Sequence, residues 1–158
     1  MGFFSAFRKL TGGTAEVAVA VTSARRGTKS AVTVNVSVGP EAISAKRVYV
    51  KLRCGELVDI AKYEMPVETG TKPGAPAEKA KPIQVKADEN LFEQEFTLAS
   101  GQDLAAASQS KFTGEIEIPA HLPPSFVGKN SRIKWYALAG LSTSLTDPSS
   151  GWQEIAVA

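Results

Sequence analysis

Residues 32 to 38 read Val-Thr-Val-Asn-Val-Ser-Val, with Val32, Val34, Val36 and Val38 on one side of a two-residue period and Thr33, Asn35 and Ser37 on the other. Only an extended chain puts every second side chain on one face, so this run is a strand with a dry face and a wet face. Valine also fits a pleated, half-buried surface better than it fits a helix. A dry strand face needs a second layer packed against it, which demands at least a two-layer fold.

The same period recurs along the chain. Val17, Val19 and Val21 alternate with Ala18 and Ala20. Val48, Val50, Leu52 and Cys54 make a third strand, and residues 57 to 63 read as a fourth after Gly55. Residues 83 to 87 restart pairing, and Phe92, Gln94, Phe96 and Leu98 mark another strand. Phe112, Gly114, Ile116 and Ile118 follow, then Ile133, Trp135, Ala137 and Ala139 on one face of a later strand. Residues 152 to 157 alternate once more, with either Trp152, Glu154 and Ala156 or Gln153, Ile155 and Val157 facing inward. Roughly seven to nine short strands with turn residues between them predict an all-β fold, a sandwich or a barrel.

Three segments depart from this period. In MGFFSAFRKLTGG, Phe3, Phe7 and Leu10 fall at i, i+4 and i+7 with Phe4 beside them, which predicts an amphipathic arm over 1–13. A helix of about ten residues is marginal alone in water, so the arm is expected to rest on its own domain, a partner or a membrane surface. Residues 66 to 82 carry four prolines and no apolar pattern, and are expected to form a flexible loop. Ser100-Gly101-Gln102-Asp103 resembles a capping box, which predicts one short helix near 101–109. The domain organisation expected is the arm, 1–13, and a single sandwich domain, 14–158, containing the 66–82 loop.

The chemistry-bearing residues are few. His121 is the only histidine among 158 residues, which leaves no His-rich metal site and no Ser–His–carboxylate arrangement that does not depend on it. Cys54 is the only cysteine, in phase with apolar neighbours, so a buried inert thiol and a reduced compartment are expected. No Gly-rich phosphate loop is present, and Glu115 and Glu117 read as solubilising side chains. Catalysis and cofactors are therefore not expected. Net charge is +2, from 18 basic and 16 acidic residues, which gives no basis for nucleic-acid binding. Lys46, Arg47, Lys51 and Arg53 cluster but alternate with Val48, Val50 and Leu52, so they read as the solvent face of a strand. With neither a membrane-length apolar run nor a signal-peptide pattern, the expected location is the cytoplasm.

Two stretches carry a resemblance: KSAVTVNVSVGPEAISAKRVYVKLRCG, residues 29 to 55, and SGQDLAAASQSKFTGEIEIPAHLPPSFVGKNSRIKWYALAGL, residues 100 to 141. Together they resemble the N-terminal domain of the arrestin family. Its signature here is Phe112, Glu117, Pro119, Leu122, Pro123 and Ser125, followed by Ile133, Tyr136, Leu138 and Ala139. The MGFF-type start is similar to the bacterial sporulation-control proteins, which are arrestin-like. The resemblance implies an immunoglobulin-like, arrestin-like antiparallel β-sandwich and an adaptor or scaffold that binds protein partners through sheet edges, a sheet face or loops. It does not carry over phosphorylated-receptor recognition, because the first strand, AEVAVAV, lacks the paired lysines that task uses. The length matches one arrestin domain, so self-association in place of a second lobe is expected to be open to this chain. The alternative is a structural protein assembling into oligomers or filaments through sheet edges and the arm at Phe3, Phe4, Phe7 and Leu10.

Overall fold

The computed structural model describes residues 15–63 and 83–158. The arm and the 66–82 loop lie outside the described residues. Eight strands follow in order: β1 (Ala15–Thr22), β2 (Lys29–Val38), β3 (Ile43–Tyr63), β4 (Ile83–Leu104), β5 (Gln109–Glu117), β6 (Phe126–Val127), β7 (Ser131–Ser142) and β8 (Gln153–Ile155). They form two antiparallel sheets. The first has three strands in the order β1-β2-β5; the second has the order β4-β3-β7-β6, with β8 also pairing β7.

The valine alternation builds the inner face of the smaller sheet. Val32, Val34, Val36 and Val38 are buried, whereas Ala31 before them and Asn35 among them are exposed. Register extends this face sideways, because Val17, Val19 and Val21 pair with Val36, Val34 and Val32. The larger sheet answers with Val48, Val50, Leu52 and Cys54 from β3 and Trp135, Ala137, Ala139 and Leu141 from β7, all at 0% exposure. Small alanines oppose large side chains: Ala137 pairs with Leu52, and Ala139 with Val50. Such alternation of size lets a core close without voids. At the last strand the inward set is Ile155 and Val157, and Trp152 faces out.

The proline corner joins the two sheets. Trp135, the largest fully buried side chain, donates its indole N–H to the Pro123 carbonyl at 3.0 Å. Leu122 is buried, and its carbonyl accepts from the Arg26 guanidinium at 3.2 Å. Ser125 is bonded twice to Val157: its N–H donates to that carbonyl, and its hydroxyl accepts from that N–H, both at 2.9 Å. The arrestin signature at Pro119, Leu122, Pro123 and Ser125 is therefore a structural clasp, satisfying backbone groups that a corner would otherwise bury unpaired.

Two expectations need correction. Among the described residues there is no helix, so the short helix near 101–109 is not formed. Ile43, Ser44 and Ala45 pair with Leu104, Asp103 and Gln102, and the Ser44 hydroxyl donates to Asp103 at 2.8 Å. The carboxylate expected to support a helix start is spent across the ladder instead, and tertiary pairing overrides the local signal. The chain turns only at Ala107, which takes a positive φ of 51° and donates its N–H to the Gly39 carbonyl. The second correction concerns continuity. The strands read separately at 48–54 and 57–63 are one 21-residue strand, β3, and those at 83–87 and 92–98 are one 22-residue strand, β4. Shifts of register between Cys54 and Gly55 and between Val48 and Tyr49 absorb the irregularities.

Candidate interaction surfaces

β3 sets the geometry of the outward face. With Val48, Val50, Leu52 and Cys54 turned inward, Arg47, Tyr49, Lys51 and Arg53 point away from the core. Pairing brings β7 beside them, Gly140 opposite Tyr49, Leu138 opposite Lys51 and Tyr136 opposite Arg53. On the other side, Glu95 of β4 pairs with Lys51 and Glu93 with Arg53.

This face is more ordered than a solvated strand face. Tyr49 is only 8% exposed although it points outward, because glycine at 140 leaves room for its ring to lie down. The Arg47 guanidinium sits 5.1 Å from the ring centroid and the Lys51 ammonium 5.9 Å, within cation–π range. Glu95 bridges both cations, pairing with Arg47 and, at 3.7 Å, with Lys51. Burial raises the Tyr49 phenol above its ordinary value, with the Asp147 and Glu95 carboxylates adding to the rise and Arg47 opposing it.

Further along, the Arg53 guanidinium lies 6.0 Å from the centroid of the Trp152 ring, and Trp152 is 37% exposed. Beside this pair opens a cavity of about 250 Å³, walled by Arg53, Leu57, Tyr136 and Trp152, with Gly55, Glu56, Asp88 and Glu89 completing its lining. It continues through Leu57 and Asp88 into a groove of about 470 Å³ along β3 and β4, which Arg132 also lines. A Cβ at position 55 would meet only an ordinary contact, the Glu89 carbonyl oxygen at 3.6 Å.

A second surface is the edge of β1. It is an outer strand of the smaller sheet, and from Val17 to Thr22 it carries no charge. The other long edges are defended differently: β4 bears Lys86, Asp88, Glu89, Glu93 and Glu95, and β5 bears Lys111, Glu115 and Glu117. Charged edges resist strand addition, and an apolar one invites it.

The residues singled out in sequence separate into three groups. Phe3, Phe4, Phe7 and Leu10 lie outside the described residues. Phe112 faces Val34 across β5 and β2 and is half-buried in the core, while Pro119, Leu122, Pro123 and Ser125 belong to the clasp. Tyr136 and Leu138 of the signature lie on the outward face, Tyr136 in the cavity wall. Trp152 and Tyr49 were not singled out: nothing local ties Trp152 to Arg53, which lies far away in sequence.

His121 is exposed, and among the described residues no group of three or more His, Cys, Asp or Glu is placed to hold a metal ion. Cys54 is fully buried, and its thiol is pushed up to about 11 by desolvation and by the nearby Glu56 carboxylate. Among the described residues no helix is long and apolar enough to cross a membrane.

No protein-family model and no curated protein matches the chain. Among solved structures it is similar to Spo0M, a sporulation control protein from Bacillus subtilis. The TM-score is 0.58 at 17% identity, over 92% of this chain and 49% of that one. The chain spans about half the length of that neighbour. At this identity the likeness shows the fold alone, an arrestin-like β-sandwich.

Proposed function

We propose that the chain is a non-catalytic protein-interaction module, an arrestin-like adaptor or scaffold of the bacterial cytoplasm. Its docking surface is the outward face around Arg53, Tyr136 and Trp152. The observation that carries this reading is the stacking of Arg53 on a partly exposed Trp152 at the mouth of a cavity. Arginine, tyrosine and tryptophan dominate binding energy at protein interfaces because they supply large contact area at low entropic cost. Here the three types converge, Arg53 and Tyr136 from the strands β3 and β7 and Trp152 from the segment just before β8. Support for a non-catalytic role comes from Cys54, whose raised thiol and full burial leave it unsuited to nucleophilic work.

The reading is tested by affinity capture with the wild type, Arg53→Ala and Trp152→Ala. A partner retained by the wild type is expected to be lost at least tenfold from each variant while both stay folded. Equal retention by all three removes this face from the function. The alternative, a structural protein assembling through sheet edges, is favoured by the uncharged run of β1. Ala20→Lys, which places a charge on that edge, separates the two: it abolishes edge-driven assembly and leaves docking at Trp152 intact.

A further inference from the structure

The cavity beside Trp152 has two unlike sides. Tyr136 and Trp152 wall it toward β7 and β8, Leu57 and Glu56 come from β3, and Asp88 and Glu89 come from β4, farther across the sheet. One side is aromatic and the other acidic.

Its charges do not balance. Three carboxylates line it against one cation, Arg53, and that guanidinium is engaged with the Trp152 ring, 6.0 Å from its centroid. No cation among the described residues forms an ion pair with Glu56, Asp88 or Glu89. Glu56 and Glu89 are also register partners, and like charges directly opposite each other destabilise a ladder. The adjoining groove supplies no surplus of positive charge. Asp59 and Asp88 there meet Lys86 and Arg132, and Lys86 is paired with Asp59 at 4.0 Å.

This imbalance decides among occupants. An apolar side chain would strip water from carboxylates and give them no partner. An anionic one would add to the repulsion between Glu56 and Glu89. A lysine or arginine side chain matches both sides: its methylene stem covers Leu57 and the aromatic wall, and its charged head reaches the carboxylates. A volume of about 250 Å³ holds one such side chain. The groove of about 470 Å³ that continues along β3 and β4 gives room for the residues beside it.

We infer that this cavity takes a lysine or arginine side chain from an extended segment of a partner protein. The inference rests on the reading of the Arg53–Trp152 face as a docking site and names the chemistry of what docks. Arg53 then holds the Trp152 wall in place, and Glu56, Asp88 and Glu89 select for positive charge.

Selection of a random peptide pool on the folded full chain tests it. Retained peptides are expected to be enriched in lysine or arginine at one position. Binding of an enriched peptide should fall about tenfold or more when that residue is replaced by norleucine, which keeps the stem and removes the charge. The same loss is expected from Trp152→Ala, and from Asp88→Asn combined with Glu89→Gln, both exposed side chains that keep their shape. Glu115→Gln, on the other sheet, should leave binding unchanged and so separates this cavity from a general attraction of basic peptides. Four results overturn the inference: no retention, enrichment in acidic or purely apolar residues, indifference to the Asp88 and Glu89 changes, or an equal loss on Glu115→Gln. Acidic or apolar peptides that are lost on Trp152→Ala keep the docking face and remove only its cationic occupant. Peptides and captured partner alike indifferent to Trp152→Ala sink both.

Discussion

Tyr49 lies across Gly140, its register partner on β7, so closely that a Cβ at position 140 would stand 2.5 Å from the phenol oxygen and 2.6 Å from Cζ. The contact explains how an outward-facing tyrosine comes to be buried, and it holds the ring between Arg47 and Lys51.

Gly140→Ala is therefore expected to displace the ring and destabilise the domain by about 1–3 kcal/mol, the usual cost of overpacking. In a Tyr49→Ala background the same substitution should cost much less. A double-mutant cycle by urea denaturation checks this; additive effects would mean that the two residues do not share the contact.

Trp135→Phe removes both the indole bond to Pro123 and part of the largest fully buried side chain. The expected loss is about 2 kcal/mol, from a hydrogen bond and a small cavity together. It should appear as a lower denaturation midpoint at unchanged slope. A variant as stable as the wild type would show that the corner is not held by this bond.

Alkaline pH is expected to weaken the fold through Tyr49 and Cys54. Both are raised in the folded state, Cys54 to about 11. As pH rises, the unfolded chain loses these protons first and so binds fewer than the folded chain. Stability is then full below the ordinary values of the two groups and falls as pH climbs through their folded values. Denaturation midpoints measured from neutral to strongly alkaline pH check the slope. At mild pH a thiol reagent should label Cys54 only at the rate of opening of the fold. Immediate labelling would contradict its burial.

Much of the fold was legible because the inward residues announce themselves by period. Val32 to Val38 needed no tertiary information, nor did Trp135, Ala137 and Ala139. Local signals failed where distant pairing outweighed them. Ser100 to Asp103 has the letters of a helix start, yet Ile43 to Ala45 claim that backbone for a ladder. Gly55 reads as a break, but it sits inside a continuous strand and lines a cavity. The outward face around Arg53 and Trp152 was less legible still. Arg47, Lys51 and Arg53 were correctly placed outside, but their stacking on Tyr49 and Trp152 depends on which strands become neighbours. No spacing along the chain encodes that.

The most direct test of the interaction-module account is photo-crosslinking in bacterial cells, with a photoreactive residue at Trp152 and, as a control, at Lys111 on the other sheet. The account predicts a discrete protein adduct from position 152, absent from position 111 and lost when Arg53→Ala is added. Adducts of equal yield from both positions, or none from 152, would contradict it.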